Sequence, residues 1–485
     1  MSKIIKHLNE AVIKKTAKRC RERGIVIPTF AELRDPAKIP AAVKARLPKI
    51  GMNDVHPLNL YRISWKNDVA TGLYGAVNAL RLPPAVTGIA APIVGLIGKH
   101  FPTGAHKVGA AFGCLVPRLV SGEFDPEVHK AVWPSTGNYC RGGAFDCALL
   151  GCRAVAILPE EMSKERFDWL RSIGAEVIAT PGCESNVKEI YDKCAELEAD
   201  PLNFIFNQFA EFGNPIFHYQ ITGPAAIEAY EAHRPKGGRL AAFISATGSA
   251  GTIAAGDYLK AKHPNLRIVA TEARQCPTLF LNGFGGHRIE GIGDKHVPWV
   301  HNVRNTDAVA AIDDEDCLRL LRLFNEAAGH KYLRTLGMTE SECKSLALMG
   351  ISGICNLIAA IKTAKYFELG PEDVICTILT DSVELYRSRL EEMRRDRGAY
   401  TETDAARDHA AVIGHQGMDW YKELGYYDRK AIHNLKYFTW VEQQGKSSEE
   451  LNAQWQPEFW QEMFEGEVGE FEKLIAAFDN EVGPR

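Results

Sequence analysis

Phe101-Pro102-Thr103-Gly104-Ala105-His106-Lys107-Val108-Gly109-Ala110-Ala111 reads as a turn that delivers one lysine to the start of a helix built of small residues. Taken alone it says little, because a lysine in the first turn of a helix is ordinarily a solvated cation. Three later stretches change its meaning. Trp133-Pro134-Ser135-Thr136-Gly137-Asn138-Tyr139 precedes the apolar run 144–150 and reads as a polar turn opening a helix. There the backbone N–H groups and the helix dipole favour a carboxylate, the plainer alternative being an ordinary Ser/Thr cap. Phe243-Ile244-Ser245-Ala246-Thr247-Gly248-Ser249-Ala250-Gly251-Thr252 is an apolar strand running into a small-residue loop and then a helix, an arrangement that lets backbone amides approach phosphate oxygens. Met349-Gly350-Ile351-Ser352-Gly353 places a hydroxyl ahead of the apolar helical run 357–364.

An amine, a carboxylate cradle, a phosphate cradle and a hydroxyl are the parts needed to hold pyridoxal 5′-phosphate, whose chemistry the protein orients and tunes. In order and approximate spacing, Lys107, Ser135-Thr136-Gly137-Asn138, Gly248-Ser249-Ala250-Gly251-Thr252, Glu290-Gly291-Ile292-Gly293 and Gly350-Ile351-Ser352 resemble the fold type II pyridoxal-phosphate enzymes. Cysteine synthase and cystathionine β-synthase look most similar, while Thr103-Gly104-Ala105-His106-Lys107 resembles the lysine segment of the tryptophan synthase β subunit. The resemblance covers about residues 80–395. It implies a tryptophan synthase β-like α/β fold with two parallel-sheet domains, and Lys107 as the catalytic, cofactor-bearing residue. It also implies cofactor contacts from Asn138, Gly248, Ser249, Ala250, Gly251, Thr252 and Ser352, the last facing the ring nitrogen. Ser135, Thr136, Gly137, Tyr139 and Gln208 would bind substrate, although Gln208 reads equally well as a surface amide. Gly291 and Gly293 would lie beside the cofactor ring. Two departures stand out. Ala250 occupies a position where cysteine synthases usually have glycine, and His106 reads either as a proton relay or, preferably, as a packed histidine.

The chain of 485 residues exceeds what one core normally holds. A net charge of −4 without a basic run argues against nucleic acid or an acidic membrane surface as the main partner. Twelve cysteines without a CxxC pair or zinc spacing read as thiols of a reducing compartment rather than a disulfide framework, and no metal site is expected. Residues 1–24 are basic but lack a continuous apolar core, so a signal peptide is not expected. A mitochondrial presequence is disfavoured by Glu10 and Glu22. The run 82–97 holds Pro83, Pro84 and Pro92 and is too short to span a bilayer. The expectation is a cytoplasmic homodimer.

Four segments are expected: a helical lead-in over 1–80, an α/β domain with the lysine and carboxylate loop over 81–225, a second α/β domain with the phosphate loop over 226–395, and a helical extension over 396–485. Short apolar runs at Val132, 153–158, 176–179, 241–245, 267–271 and 374–379 alternate with helical stretches, which predicts a parallel sheet. Residues 325–349, including His330, Lys331 and Tyr332, are longer than the family norm and a candidate for reshaping the substrate entrance. The extension carries four of the eight tryptophans, Trp420, Trp440, Trp455 and Trp460. It reads as a structural clasp over a core or second subunit in preference to an active-site lid.

A ring-nitrogen partner that is a hydroxyl cannot hold a fully protonated pyridinium, which favours α,β-elimination over transamination or racemisation. The expected activity is therefore β-elimination or β-replacement on a serine- or cysteine-like amino acid through an aminoacrylate, a lyase or synthase reaction. A serine/threonine-type ammonia lyase is the alternative, and a catalytically silent binding relative a third reading.

Overall fold

Each apolar run expected as a strand forms one, and the computed structural model adds five more to its two larger sheets, besides a two-stranded hairpin, Asn67–Asp68 with Leu73–Tyr74. The structure describes residues 4–483 except 136, 163, 183–186 and 294. The strands of its two larger sheets are, in chain order, β1 (Ala79–Arg81), β2 (Ile93–Ile97), β3 (Lys130–Pro134), β4 (Arg153–Pro159), β5 (Glu176–Thr180), β6 (Asn203–Ile205), β7 (Arg239–Ala246), β8 (Arg267–Ala273), β9 (Ala308–Ile312), β10 (Asp373–Leu379) and β11 (Tyr421–Glu423). The larger sheet runs β11-β9-β8-β7-β10-β2-β1, and the smaller β5-β4-β3-β6. The smaller sheet and the central five strands of the larger are parallel, with antiparallel β1 and β11 at the edges.

Parallel strands covered on both faces must be apolar throughout rather than alternating. Accordingly β10 is buried from end to end, and helix Ile351–Tyr366, packed on the sheet, is buried from Ile351 to Ala364. The stretch 81–225 contributes to both sheets, because β2 crosses into the larger one and pairs with β10. Helix Lys107–Val120 packs so closely on helix Gly213–Phe217 that backbone meets backbone: a Cβ on Gly113 would lie 2.3 Å from the Gly213 carbonyl oxygen. That contact fixes the helix whose first residue is Lys107.

The extension closes on the rest of the chain at both ends. Strand β11 caps the sheet edge at β9, and helix Glu467–Val482 lies against helix Glu10–Arg23, with Arg21 Nε donating to the Val482 carbonyl at 2.6 Å. Trp440 and Trp460 are buried and donate their indole N–H groups to Val297 and Gln454 carbonyls. Residues 325–349 form helices Ala327–Thr335 and Glu340–Ser345, whose Leu333 and Cys343 join the core around helix Asp314–Asn325. Among the described residues no single helix is long and apolar enough to cross a membrane.

Candidate active site

Five loops meet at one cleft, and each follows the carboxyl end of a parallel strand: 98–107 after β2, 135–139 after β3, 206–209 after β6, 247–252 after β7 and 380–381 after β10. Open α/β sheets place their ligands at these ends, where loops diverge and helix N-termini converge. The cleft holds about 620 Å³ of space, part of it open to solvent, and is lined by Lys107, Ser135, Asn138, Tyr139, Gln208, Gly248, Ser249, Ala250 and Thr252 of the expected residues. It is also lined by Phe209, Ser245, Asn356 and Thr380, and by Gly291 and Gly293.

Lys107 Nζ donates to Ser249 Oγ at 2.9 Å and to Gln208 Oε1 at 3.4 Å. No carboxylate lines the cleft among the described residues, so burial pushes the amine down to about 8. Asn214 Nδ2 donates to both Ser249 Oγ (3.0 Å) and the Gln208 carbonyl (2.9 Å), tying the phosphate-type loop to the 206–209 loop. Gly251 is required there, since a Cβ would lie 1.9 Å from Asn214 Oδ1. Ala250, the departure from glycine, has φ 57°, a left-handed conformation that costs an L-residue roughly 1–2 kcal/mol.

His106 is a packed histidine. It is fully buried, tilted on Trp65 (5.5 Å between ring centroids) and edge-on to His218 (5.0 Å), with Nε2 3.3 Å from Thr380 Oγ1. Burial, and then the Lys107 charge, lowers it to about 3, so it stays neutral.

Three expected residues do not line the cleft. Gly137 and Gly251 lie behind their loops. Ser352 is buried in the first turn of its helix with its hydroxyl unpaired, one turn before the cleft-lining Asn356. The adjoining Gly350 N–H instead braces the turn after β10 by donating to the Asp381 carbonyl at 3.1 Å. Thr380 and Asn356 line the cleft nearby. Thr136 lies outside the described residues. Residues 325–349 and the extension contribute nothing to the lining.

The cleft fits pyridoxal phosphate on its own terms. Burial holds the Lys107 amine below the usual lysine range, at about 8. Among the described residues, the backbone N–H groups of 248–253 have no acceptor within the chain, just ahead of helix Ala254–Lys262. Asn138 Oδ1 and Asn356 Oδ1 are buried and unpaired. These are the donors and acceptors that a phosphate and a polar ring demand.

Fold and site together define an α/β enzyme of fold type II. The family model described as "Pyridoxal-phosphate dependent enzyme" matches residues 98–381, and the chain belongs to that family and depends on pyridoxal phosphate. It is 30% identical over 322 residues to cysteine synthase of Staphylococcus aureus, covering 66% of this chain and 96% of that one. A hydrogen sulfide-producing enzyme of Fusobacterium nucleatum superposes with TM-score 0.54 at 25% identity, covering 64% of this chain and 95% of the other. Cysteine synthase of Entamoeba histolytica shares the fold, with TM-score 0.57 at 20% identity over 70% of this chain and 93% of the other.

Proposed function

We propose that this chain catalyses α,β-elimination or β-replacement on a serine- or cysteine-like amino acid. The observation that carries the reading is a Lys107 amine that faces a cleft whose described lining holds no carboxylate, its basicity lowered by burial. Pyridoxal phosphate, when bound, supplies the electron sink that acidifies the α-proton of an attached amino acid. Lys107 holds the cofactor and, as a free amine, accepts the α-proton at Nζ. The amides of 248–252 and the N-terminus of the following helix hold the phosphate, with the Ser249 and Thr252 side chains alongside. Ser135, Gly137, Asn138 and Tyr139, with Thr136, would form the loop for the substrate carboxylate, with Gln208 beside it in the loop after the neighbouring strand β6. Thr380 and Asn356, both neutral, line the cleft and with Ser352 would be the candidates to meet the ring. A neutral wall weakens proton uptake by the ring and so favours loss of a β-substituent over transamination.

The names of the relatives, cysteine synthase and hydrogen sulfide-producing enzyme, support this reading over a serine/threonine ammonia lyase. The test is to offer the loaded enzyme O-acetyl-L-serine with and without sulfide, L-cysteine, L-serine and L-threonine, scoring pyruvate, 2-oxobutyrate, sulfide and new amino acids. Turnover of O-acetylserine or cysteine is expected. Turnover of threonine alone would indicate the ammonia lyase, and no turnover of any would indicate a silent relative. We also propose a cytoplasmic homodimer: every described cysteine is free, and Tyr426, Tyr427 and Phe438 of the extension are exposed. Light scattering of the purified protein checks the dimer.

A further inference from the structure

Gly137 and Asn138 are backed by charged residues from both sides of the cleft. Gly137 has φ 156° and no side chain, and the Arg166 guanidinium fills the space a side chain would take: a Cβ there would lie 2.7 Å from Arg166 Nε. Arg166 comes from helix Lys164–Ser172, on the small-sheet side, and is fully buried. Its Nη1 donates to Glu290 Oε2. Glu290 is also buried and leads directly into the cleft-lining Gly291–Gly293 segment. Its second oxygen accepts from Arg389 Nε at 2.6 Å, so the carboxylate is fixed on both sides.

The neighbouring residue of the loop is held by a parallel device. Asn138 Nδ2 donates to Asp381 Oδ2 at 2.6 Å, and Tyr386 Oη donates to the same oxygen at 2.8 Å. The Arg166 guanidinium lies over the Tyr386 ring at 5.7 Å, which joins the two devices. Arg141, three residues along the helix that the loop opens, adds a second buried guanidinium, stacked on Trp169 at 4.6 Å. Ion pairs this deeply buried rarely repay their desolvation in stability. Their arrangement directly behind a loop that must receive an anion gives them another use.

We propose that Arg166 and Glu290 are a positioning pair for substrate recognition. Arg166 sets Gly137 so that the cleft side of the loop receives the substrate's α-carboxylate, and Glu290 locks that setting to the opposite wall. The role deepens the proposed function and rests on the reading of 135–139 as the carboxylate loop. The pair touches neither substrate nor cofactor and acts through Gly137.

The test uses cofactor-loaded wild type, Arg166→Lys, Glu290→Gln and Glu290→Asp, and two amines that differ in the carboxylate, L-serine and ethanolamine. Binding is read from the change in cofactor absorbance, and KM and kcat are measured for the amino acid that is turned over. Arg166→Lys and Glu290→Gln should weaken L-serine and raise KM at least tenfold while kcat stays within about threefold. Ethanolamine affinity should change less than twofold, and Glu290→Asp should recover most of the loss. Equal weakening of both amines would mean the pair merely supports the fold, and unchanged L-serine affinity would mean it has no positioning role; either overturns the proposal. If wild type itself binds both amines equally, the carboxylate reading of the loop fails and the proposal falls with it. If Arg166→Lys does not load cofactor, the near-isosteric Glu290→Gln decides by the same criteria.

Discussion

Two lysines of this chain have amines that burial depresses and are put to opposite uses, Lys436 fully buried and Lys107 partly open to the cleft. Lys436, in the extension, donates to the Trp299 carbonyl (2.8 Å), the His301 carbonyl (2.7 Å) and Gln454 Oε1 (2.7 Å), which satisfies all three N–H donors of an ammonium. Lys107 has one close partner, Ser249, and a distant one, Gln208, and it faces the cleft. Burial lowers both amines. What separates a structural lysine from a reactive one is thus the number of acceptors supplied and the open space beside it. Lys436 joins the extension to segment 299–301, and Val300 N donates to the carbonyl of the cleft-lining Phe209 at 3.2 Å. Structural and reactive lysine therefore stand on either side of one wall.

The contrast breaks most visibly at Lys107. Lys107→Ala should abolish the cofactor's visible absorbance and lower kcat/KM by about 10³-fold or more, whereas Lys436→Met should keep the absorbance in whatever protein folds. Steady-state kinetics and a spectrum check both, and full activity of Lys107→Ala would remove the assignment. Deleting the chain after residue 400 should be nearly as severe. It removes Trp440, Trp460 and the edge strand β11, and each large buried side chain is worth roughly 1.5–3 kcal/mol against a typical total of about 5–15 kcal/mol. Aggregation or early melting is expected. A soluble, equally stable truncation that admits bulkier amino acids would make the extension a lid.

Lys436→Met leaves two buried acceptors, the Trp299 carbonyl and Gln454 Oε1, unpaired at about 1–3 kcal/mol each, partly offset by relief of a buried charge; its melting temperature should fall, as calorimetry will show. Lys107→Met should do the reverse in the cofactor-free protein. A folded-state value near 8 lies below the unfolded value of 10.5, so the penalty is fully present below pH 8 and disappears as pH rises from there toward 10.5. The methionine variant should therefore be the more stable below pH 8, by at most ~3 kcal/mol, with the gap closing at higher pH in parallel denaturant titrations. The smallest effect is expected at Ser352: Ser352→Ala should change turnover less than threefold, while Thr380→Ala, at the cleft wall, should change it by tenfold or more. The opposite order would return the ring-facing role to Ser352.

Much of this was legible in the sequence because it rests on local chemistry. The strands at 241–245 and 374–379 are unbroken apolar runs, and Lys107, Ser135, Asn138 and the 248–252 loop sit where a strand hands over to a helix. Other features were hidden for physical reasons. Strand β2 lies inside a proline-punctuated stretch, and β9, Ala-Val-Ala-Ala-Ile, has no strand pattern because burial on both faces removes the alternation. Thr380 carries no motif; only its place just after a buried parallel strand points to it. Arg166 reads as one more charge on a polar helix, and its partners lie 29 residues (Gly137) and 124 residues (Glu290) away in sequence.

Reduction of the loaded enzyme with borohydride, followed by peptide mass spectrometry, tests the central claim most directly, because it fixes the cofactor to the amine that holds it. The pyridoxyl group should be found on Lys107 and be absent from Lys436. A pyridoxyl group on any other lysine, with Lys107 unmodified, would contradict the account.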